Sequence, residues 1–417
     1  MTGSDPSSRI AGSRPRAAPA RARKGLRLVR NLAVLGLLAG VGVAACAAIP
    51  RAAGRHDSST TTTDGPPASS PTSSTLATVH SFHVGIWTFD WKDTTRNTVN
   101  PANPAQPIPG RVLTTQVRYP TLRGSAAGET PGAAAATAYG PFPVIVFAHG
   151  FGVDPVAYEP LLDAWVRAGF IVVSPIFPDE NASIVKQVGG ISSQEALTAE
   201  TDETNEPGDI AFVLQQLAVA AETPGTPLTR LPDLSEVALA GQSDGANVVG
   251  ALAFGSAYAS IWASIEPEPK AVAVLSGEEL TAGPGNYGAN TYGSGPQSPA
   301  LLQVQSTADS CNPGQDAYAL YSRIDHGPVH LFETLTGASH LDPYVGVQPW
   351  AAIVQKVTTE FFEVELHWRD AGLSLARVVA AGSVPGTSSM EPPTDETFAD
   401  EPPFSCTIPP GLDTGAG

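Results

Sequence analysis

The sequence of 417 residues is poor in cysteine, charge and aromatic side chains. Three cysteines are too few for a disulfide-rich scaffold, so the fold needs an apolar core, for which a hydrophobic content of 42% suffices. Charged residues make up only 15%, and no group of His, Cys, Asp and Glu has the spacing of metal ligands. Glycine-rich phosphate loops, dinucleotide loops and internal repeats are also missing. The sequence therefore predicts no metal and no other cofactor.

Basic residues are scarce outside the N-terminal part. Residues 1–55 contain ten of the 23 lysines and arginines and a single acid, Asp5, which leaves 13 bases against 39 acids in the rest. An acidic body of this kind argues against nucleic acid as a partner.

The N-terminal 50 residues have the composition of a targeting or anchoring segment. Residues 1–30 are basic and lack apolar periodicity, so we expect them to be disordered and cytoplasmic. Residues 31–50 carry no charge and are flanked by Arg30 and Arg51. Two interpretations stay open, a membrane-spanning helix and the apolar part of a secretion signal. The second is supported by Val43-Ala-Ala-Cys46, which resembles a bacterial lipobox in which Cys46 becomes the lipidated first residue.

Both interpretations place the rest of the chain on the outer side of a bacterial-type cell envelope, held to the membrane by its N-terminal segment. Residues 51–78 are rich in Ser, Thr and Pro and are expected to form a flexible linker.

Residues 79–380 alternate between strand-like and helix-like patterns. This alternation predicts an α/β fold with a mostly parallel eight-stranded sheet and helices on both faces. The Gly- and Ala-rich stretch 124–140 is expected to be a loop, and residues 381–417 an acidic, Pro-rich tail. The eight strands are expected near residues 82–89, 111–119, 143–148, 170–175, 236–240, 271–275, 299–305 and 329–335.

A polar, acidic segment interrupts this alternation at 182–206. It is a candidate insertion or lid. We expect Asp179, Glu180 and the acids at 200–206 to belong to a solvated acidic loop, with a weak cation site as the alternative.

The central motif of the chain is Gly241-Gln-Ser243-Asp-Gly245, between an apolar strand and a helical pattern. G-x-S-x-G at a strand-to-helix turn is the pattern of a nucleophile elbow, in which glycines avoid clashes and the serine is lifted above the sheet. The helix that follows points free N–H groups towards the Ser243 oxygen, where negative charge develops in acyl transfer.

Three further polar residues follow predicted strands. His149, Asp309 and His340 fall at strand ends, as does Ser243, and sites in parallel sheets lie at the carboxyl ends of strands. A serine nucleophile needs a base and the base needs an acid, which suits the order Ser243, Asp309, His340. Alternatives stay open: Asp316 or Glu278 as the acid, His326 or His330 as the base, and a structural role for His149.

With these motifs the chain resembles the α/β-hydrolases, among them dienelactone-hydrolase-like and platelet-activating-factor-acetylhydrolase-like bacterial esterases and cutinase-type polyester hydrolases. The resemblance spans residues 80–370. It implies a catalytic triad of Ser243 as nucleophile, His340 as base and Asp309 as acid, and an oxyanion hole formed by the backbone N–H groups of Phe151 and Asp244.

The sequence departs from these families within the elbow. Dienelactone hydrolases have Cys in place of the serine, so their substrate does not carry over. Gln242 and Asp244 stand where many relatives have His and Met or Phe.

The resulting hypothesis is a serine hydrolase that cleaves carboxylic esters, with a small-molecule or lipid ester as its substrate. A lipid acylhydrolase and a polyester depolymerase are alternatives with the same triad. A non-catalytic surface-binding protein is an alternative of another class.

The last expectation concerns Cys311 and Cys406, which are the only cysteines after residue 50. An extracytoplasmic location permits disulfides. We therefore expect these two to pair and to fix the tail beside Asp309, with two unpaired thiols as the alternative.

Overall fold

The computed structural model describes the chain from residue 81, with gaps. The described residues are 81–126, 128–278, 285–287, 292–293, 299–324, 327–368, 374–394, 397–398, 402 and 405–406, and all of them belong to the unit Ser73–Gly417. The predictions for segments 1–30, 31–50 with Cys46, and 51–78 lie outside these residues.

One sheet organises the described chain, and its centre is parallel. Strands β5, β4, β6, β7, β8 and β9 are neighbours in that order and run parallel, while β2 and β1 continue the sheet antiparallel beside β5. The short strands β3 and β10 pair with β1 and β9 at the two edges. The ten strands of the described residues are β1 His83–Thr98, β2 Ile108–Thr121, β3 Glu129–Pro131, β4 Phe142–Ala148, β5 Ile171–Ile176, β6 Pro232–Gln242, β7 Ala271–Leu275, β8 Ala300–Ser306, β9 His330–Leu335 and β10 Ser388–Ser389.

The mostly parallel sheet is confirmed, but the predicted number of eight strands is wrong. All eight expected strands are present, and the two extra ones are β3, inside the stretch 124–140 that was expected to be a loop, and β10, beyond the expected end of the domain at residue 380. Both have only two or three residues and lack apolar alternation. Such strands form because an existing edge offers backbone partners, which no local sequence pattern reveals.

Helices cover both faces of the sheet. Against one face pack α4, α5 and α7, and against the other pack α1, α8 and α9. The helices of the described residues are α1 Glu159–Ala168, α2 Ala182–Gln187, α3 Gln194–Ala199, α4 Glu206–Glu222, α5 Asp244–Phe254, α6 Ala259–Trp262, α7 Gly314–Arg323, α8 Trp350–Glu365 and α9 Leu375–Gly382.

Strand β4 shows why the central strands read as continuous apolar runs. Val144 and Val146 belong to the core beneath α4 and α5, whereas Ile145 and Phe147 belong to the core beneath α1 and α8. Alternate side chains of a strand point to opposite faces, so a strand covered on both sides needs an apolar residue at every position.

The segment 182–206 folds into α2, α3 and a 3₁₀ helix over Glu200–Asn205. The expectation of a solvated acidic loop is wrong. The side chains of Glu180, Glu203 and Glu206 are fully buried, and both carboxyl oxygens of Glu180 and of Glu206 lack a hydrogen-bond donor among the described residues.

Two buried carboxylates of this region have an arginine partner. Arg111 on β2 is fully buried and contacts Asp202 and Asp209, each at 2.6–2.7 Å. Arg96 on β1 adds a second contact to Asp209 at 2.6 Å. These ion pairs attach the 3₁₀ helix and the first turn of α4 to the sheet, because a buried charge is tolerated only when it is paired.

No helix within the described ranges is long and apolar enough to cross a membrane.

Three buried acids without a basic partner among the described residues predict a pH-dependent stability. Burial, together with neighbouring carboxylates, raises the pKa values of Glu180, Glu203 and Glu206 well above the ordinary value. The folded protein therefore keeps protons on these groups at pH values where the unfolded chain has released them. We expect the free energy of unfolding to fall as pH rises from about 5 to 8.

The variant Glu206→Gln tests this origin, because an amide of the same shape cannot ionise. Its slope of unfolding free energy against pH should be smaller by at most about 1.4 kcal/mol per pH unit. Chemical denaturation at several pH values measures the slope, and the exposed Glu195→Gln is the matched control. Equal slopes in Glu206→Gln and in the unmutated protein would show that the Glu206 carboxyl is not protonated in the fold.

Candidate active site

Ser243 lies at the turn between β6 and α5, in the position that the elbow pattern predicts. Its φ of 56° lies in the left-handed region that non-glycine residues rarely adopt. Both flanking glycines are required by close backbone packing, since a Cβ on Gly241 would collide with the Gly245 carbonyl and one on Gly245 with the Ala148 carbonyl. The structure therefore explains each fixed position of the motif.

Ser243, His340 and Asp309 form a continuous chain of hydrogen bonds. The Ser243 hydroxyl lies 2.9 Å from His340 Nε2, and His340 Nδ1 lies 2.8 Å from Asp309 Oδ2. A carboxylate only accepts, so Nδ1 carries the proton and Nε2 offers its lone pair to the serine. This is the arrangement of an acid, a base and a nucleophile that acyl transfer uses.

The carboxylate of Asp309 is fixed by the loop after β8. Its Oδ1 accepts the backbone N–H groups of Cys311 and Asn312 at 2.9 and 3.0 Å. Gln305 donates to Oδ2 at 3.3 Å. With Oδ1 held by the loop, Oδ2 faces His340.

The other candidate histidines that the structure describes do not contact Ser243. His149 is fully buried, its Nε2 accepts the Phe177 N–H at 3.0 Å, and burial lowers its pKa. The ring of His330 stacks on Tyr321 with centroids 3.8 Å apart. His326 lies outside the described residues.

Asp309, and not one of the alternative acids, is the residue whose contact with His340 the structure shows. Asp316 is exposed in the first turn of α7. Glu278 lines the pocket around Ser243, but it is Asp309 whose carboxylate contacts the histidine.

Phe151 and Asp244, the residues expected to form the oxyanion hole, line the same pocket as Ser243. Asp244 is the first residue of α5, where backbone N–H groups have no partner within the helix. Phe151 follows Gly150 in the loop after β4. The two backbones therefore flank the serine from the ends of neighbouring strands.

The pocket above Ser243 has a volume of 490 Å³ and mixed walls. The segment 182–206 forms part of it through Ile191, Ser192, Leu197 and Glu200, which makes this segment a wall of the site. The pKa of Glu200 is raised to about 8 by burial and by Asp244.

Asp244 is half-buried in the wall of the pocket. Burial raises the pKa of its carboxyl to about 6, and His340 opposes this effect. None of the described residues that line the pocket is Lys or Arg.

A disulfide joins Cys311 and Cys406, the pair that the sequence analysis expects, and both cysteines line the pocket. Ser310 and Ser405 strengthen the contact with two hydrogen bonds, from the Ser405 N–H to the Ser310 carbonyl and from the Ser310 hydroxyl to the Ser405 carbonyl. The tail is thus attached to the loop that holds Asp309.

Among the described residues, one set of three potential metal ligands lies close together, and it consists of Asp309, Cys311 and His340. Cys311 is oxidised in the disulfide, and the other two bind each other. A thiolate is the ligand form of cysteine, so these groups do not offer a set of free ligands.

Tyr158 and Gln242, to which the sequence analysis gives no role, connect different parts of the site by hydrogen bonds. Tyr158 donates its hydroxyl to Gln242 Oε1 at 2.7 Å, and the Gln242 amide donates to the His340 carbonyl at 3.2 Å. Gln242 had a signal in the sequence, as an unusual residue inside the elbow. Tyr158 had none, since it belongs to no recognised motif.

A protein-family model described as Chlorophyllase matches residues 126–266, a range that includes Phe151 and Ser243 but ends before Asp309 and His340. Among solved structures, a ferulic acid esterase from Streptomyces cinnamoneus has 18% sequence identity and a TM-score of 0.47, covering 76% of this chain and 95% of that chain. No curated protein matches the sequence.

The strand order, the strand–turn–helix elbow and the family-model match agree with the resemblance noted in the sequence. The chain has the architecture of the α/β-hydrolase fold.

Proposed function

We propose that this α/β-hydrolase cleaves carboxylic esters through an acyl-Ser243 intermediate. The observation that carries the proposal is the unbroken chain of hydrogen bonds from Ser243 through His340 to Asp309, which opens on a pocket that the serine lines.

In the first half of the reaction, His340 Nε2 takes the Ser243 proton while the oxygen attacks the ester carbonyl. The negative charge on the former carbonyl oxygen is stabilised by the N–H groups of Phe151 and Asp244. The imidazolium then gives its proton to the departing alkoxide, and the acyl group remains on Ser243.

In the second half, a water molecule gives a proton to His340 and attacks the acyl carbon. The bond to Ser243 breaks, the serine oxygen regains a proton from His340, and a carboxylic acid leaves. Asp309 stabilises the imidazolium in both halves and keeps its ring oriented.

The pocket favours a neutral ester with an apolar part. Phe151, Val153, Ile191, Leu197 and Leu341 supply apolar walls, and acids supply the charged ones. The volume of 490 Å³ lies within the range of small-molecule sites. This supports a small ester as substrate, ahead of the lipid and polyester alternatives.

Ser243→Ala tests the mechanism. We expect the variant to fold and to lose hydrolysis of p-nitrophenyl esters by several orders of magnitude, about 10⁶ where a serine nucleophile has been dissected. The exposed Ser256→Ala is the control. The same assay with graded acyl chains separates substrate classes: a small-ester hydrolase prefers short chains, and a lipid acylhydrolase long ones. Full activity in folded Ser243→Ala would exclude the acyl-serine mechanism, and an inactive unmutated protein would favour a binding protein.

The disulfide predicts redox-sensitive activity. Cys311 and Asn312 hold Asp309, so freeing the tail loosens the carboxylate that orients His340. We expect Cys406→Ser to lower kcat by about 10- to 100-fold, the cost of a small misplacement, with a smaller relative loss of thermal stability. The chain-entropy model gives on the order of 4–5 kcal/mol for a 95-residue loop as an upper figure.

Reductant should reproduce the loss in the unmutated protein and add nothing in Cys406→Ser. Unchanged kcat after verified reduction would show that the tail does not support the acid.

We also propose that the enzyme acts outside the cytoplasm and is attached to the membrane by residues 31–50. The absence of charged residues from this stretch supports the attachment. Full-length protein should fractionate with membranes. Release by Cys46→Ser indicates a lipid anchor, and retention indicates a spanning helix. Recovery of the full-length protein in the cytosolic fraction would contradict both forms.

A further inference from the structure

Behind the triad lies a second chain of hydrogen bonds that connects the loop of the proposed oxyanion hole to the proposed base. It starts at the Gly150 N–H, which donates to the Tyr158 hydroxyl at 3.2 Å. The Tyr158 hydroxyl in turn donates to Gln242 Oε1 at 2.7 Å. The Gln242 Nε2 group then donates to the His340 carbonyl at 3.2 Å and lies 3.3 Å from His340 Nε2.

The donors and acceptors fix the direction of every bond in this chain. Tyr158 accepts the Gly150 N–H, so its single proton is directed to Gln242. That donation identifies the Gln242 oxygen and turns the NH₂ group towards His340. Tyr158 and Gln242 are both fully buried, so water offers no replacement when one partner is lost.

The chain has little freedom to rearrange. Gly150 approaches Gln242 so closely that a Cβ on it would lie 2.9 Å from Gln242 Oε1 and from Ser243 Cβ. The ring of Tyr158 packs edge-on against Phe147, with centroids 4.9 Å apart. Gln242 immediately precedes the strained Ser243, so its backbone is fixed by the elbow.

We propose that Tyr158 and Gln242 are positioning residues which align the Gly150–Phe151 loop and His340 as a unit. This inference rests on the proposed function, because it assigns those two elements their roles. It predicts that the two side chains matter for turnover more than for substrate binding. Tyr158 does not line the pocket, and Gln242 lines it beside Ser243 and His340.

The charged groups that face His340 are Asp309, on Nδ1, and Asp244, which acts on it at longer range. Neither contacts Tyr158 or Gln242 through a hydrogen bond in the described structure. Tyr158 and Gln242 are therefore a neutral pair, and replacing them leaves the charged groups near His340 in place.

The test is a double-mutant cycle with Tyr158→Phe and Gln242→Met. Each single variant should lower kcat for a p-nitrophenyl ester by about 10- to 100-fold with KM changed less than about threefold. The double variant should lose no more than about twice what Gln242→Met loses alone, because members of one unit are not additive. Multiplied losses, or unchanged kcat in both single variants, would overturn the proposal.

Tyr119→Phe is the matched control, since Tyr119 is also fully buried and donates to one backbone carbonyl, that of Ala133 at 2.8 Å. It should lose thermal stability as Tyr158→Phe does but retain kcat. Equal kcat losses in both variants would mean that a buried tyrosine hydroxyl supports only the fold.

A second measurement does not need an active enzyme. The Nδ1 proton of His340, held against Asp309, exchanges with water at a rate that NMR reports. Exchange should become faster in Tyr158→Phe and in Gln242→Met, but not in Tyr119→Phe. If the unmutated protein cleaves no ester, the proposed function fails while this comparison still decides whether the pair orients His340. If Gln242→Met does not fold, Tyr158→Phe decides alone, and unchanged exchange together with unchanged kcat would overturn the proposal.

Discussion

The strained backbone at Ser243 is the constraint on which the site depends. A positive φ at a non-glycine residue persists only when the surrounding structure enforces it. Here the enforcement comes from Gly241 and Gly245, whose missing side chains let the start of α5 approach β6 and the end of β4. The same contact brings the loop after β4 beside the serine, so the proposed nucleophile and the loop of the proposed oxyanion hole are placed by one packing arrangement.

Buried ion pairs fix the segment that forms another wall of the pocket. Arg111 and Arg96 attach the 3₁₀ helix before α4 to β1 and β2 through Asp202 and Asp209. Glu180, Glu203 and Glu206 lie nearby, and burial raises their pKa values because ionising a buried acid without a basic partner is unfavourable. The segment 182–206 is therefore held to the sheet by ion pairs, and its stability and that of the pocket wall respond to pH together.

The sequence predicts those parts that have a local or periodic signature. The buried strands around β4 can be predicted because burial on both faces requires an unbroken apolar run in the sequence. Ser243 is readable because the turn requires glycine on both sides. His340 and Asp309 are readable because strand ends in a parallel sheet converge at one edge.

Other parts depend on neighbours that are distant in sequence. β3 and β10 form by pairing with existing edges, and nothing in Glu-Thr-Pro or Ser-Ser announces this. Asp202 looks solvated in sequence because its partner Arg111 lies about 90 positions earlier on β2. Tyr158 can contact Gln242 only because the fold packs the segment after β4 against the elbow.

The acidic lining of the pocket has a consequence for the end of the catalytic cycle. In the proposed reaction the ester substrate is neutral, but its acyl product ionises at neutral pH and becomes an anion beside Asp244, whose pKa of about 6 leaves it charged at that pH. With no lysine or arginine among the described lining residues to retain it, the product is repelled from the place where it forms. An ester hydrolase with such walls is poorly inhibited by the acid it releases, and it keeps its rate as that acid accumulates.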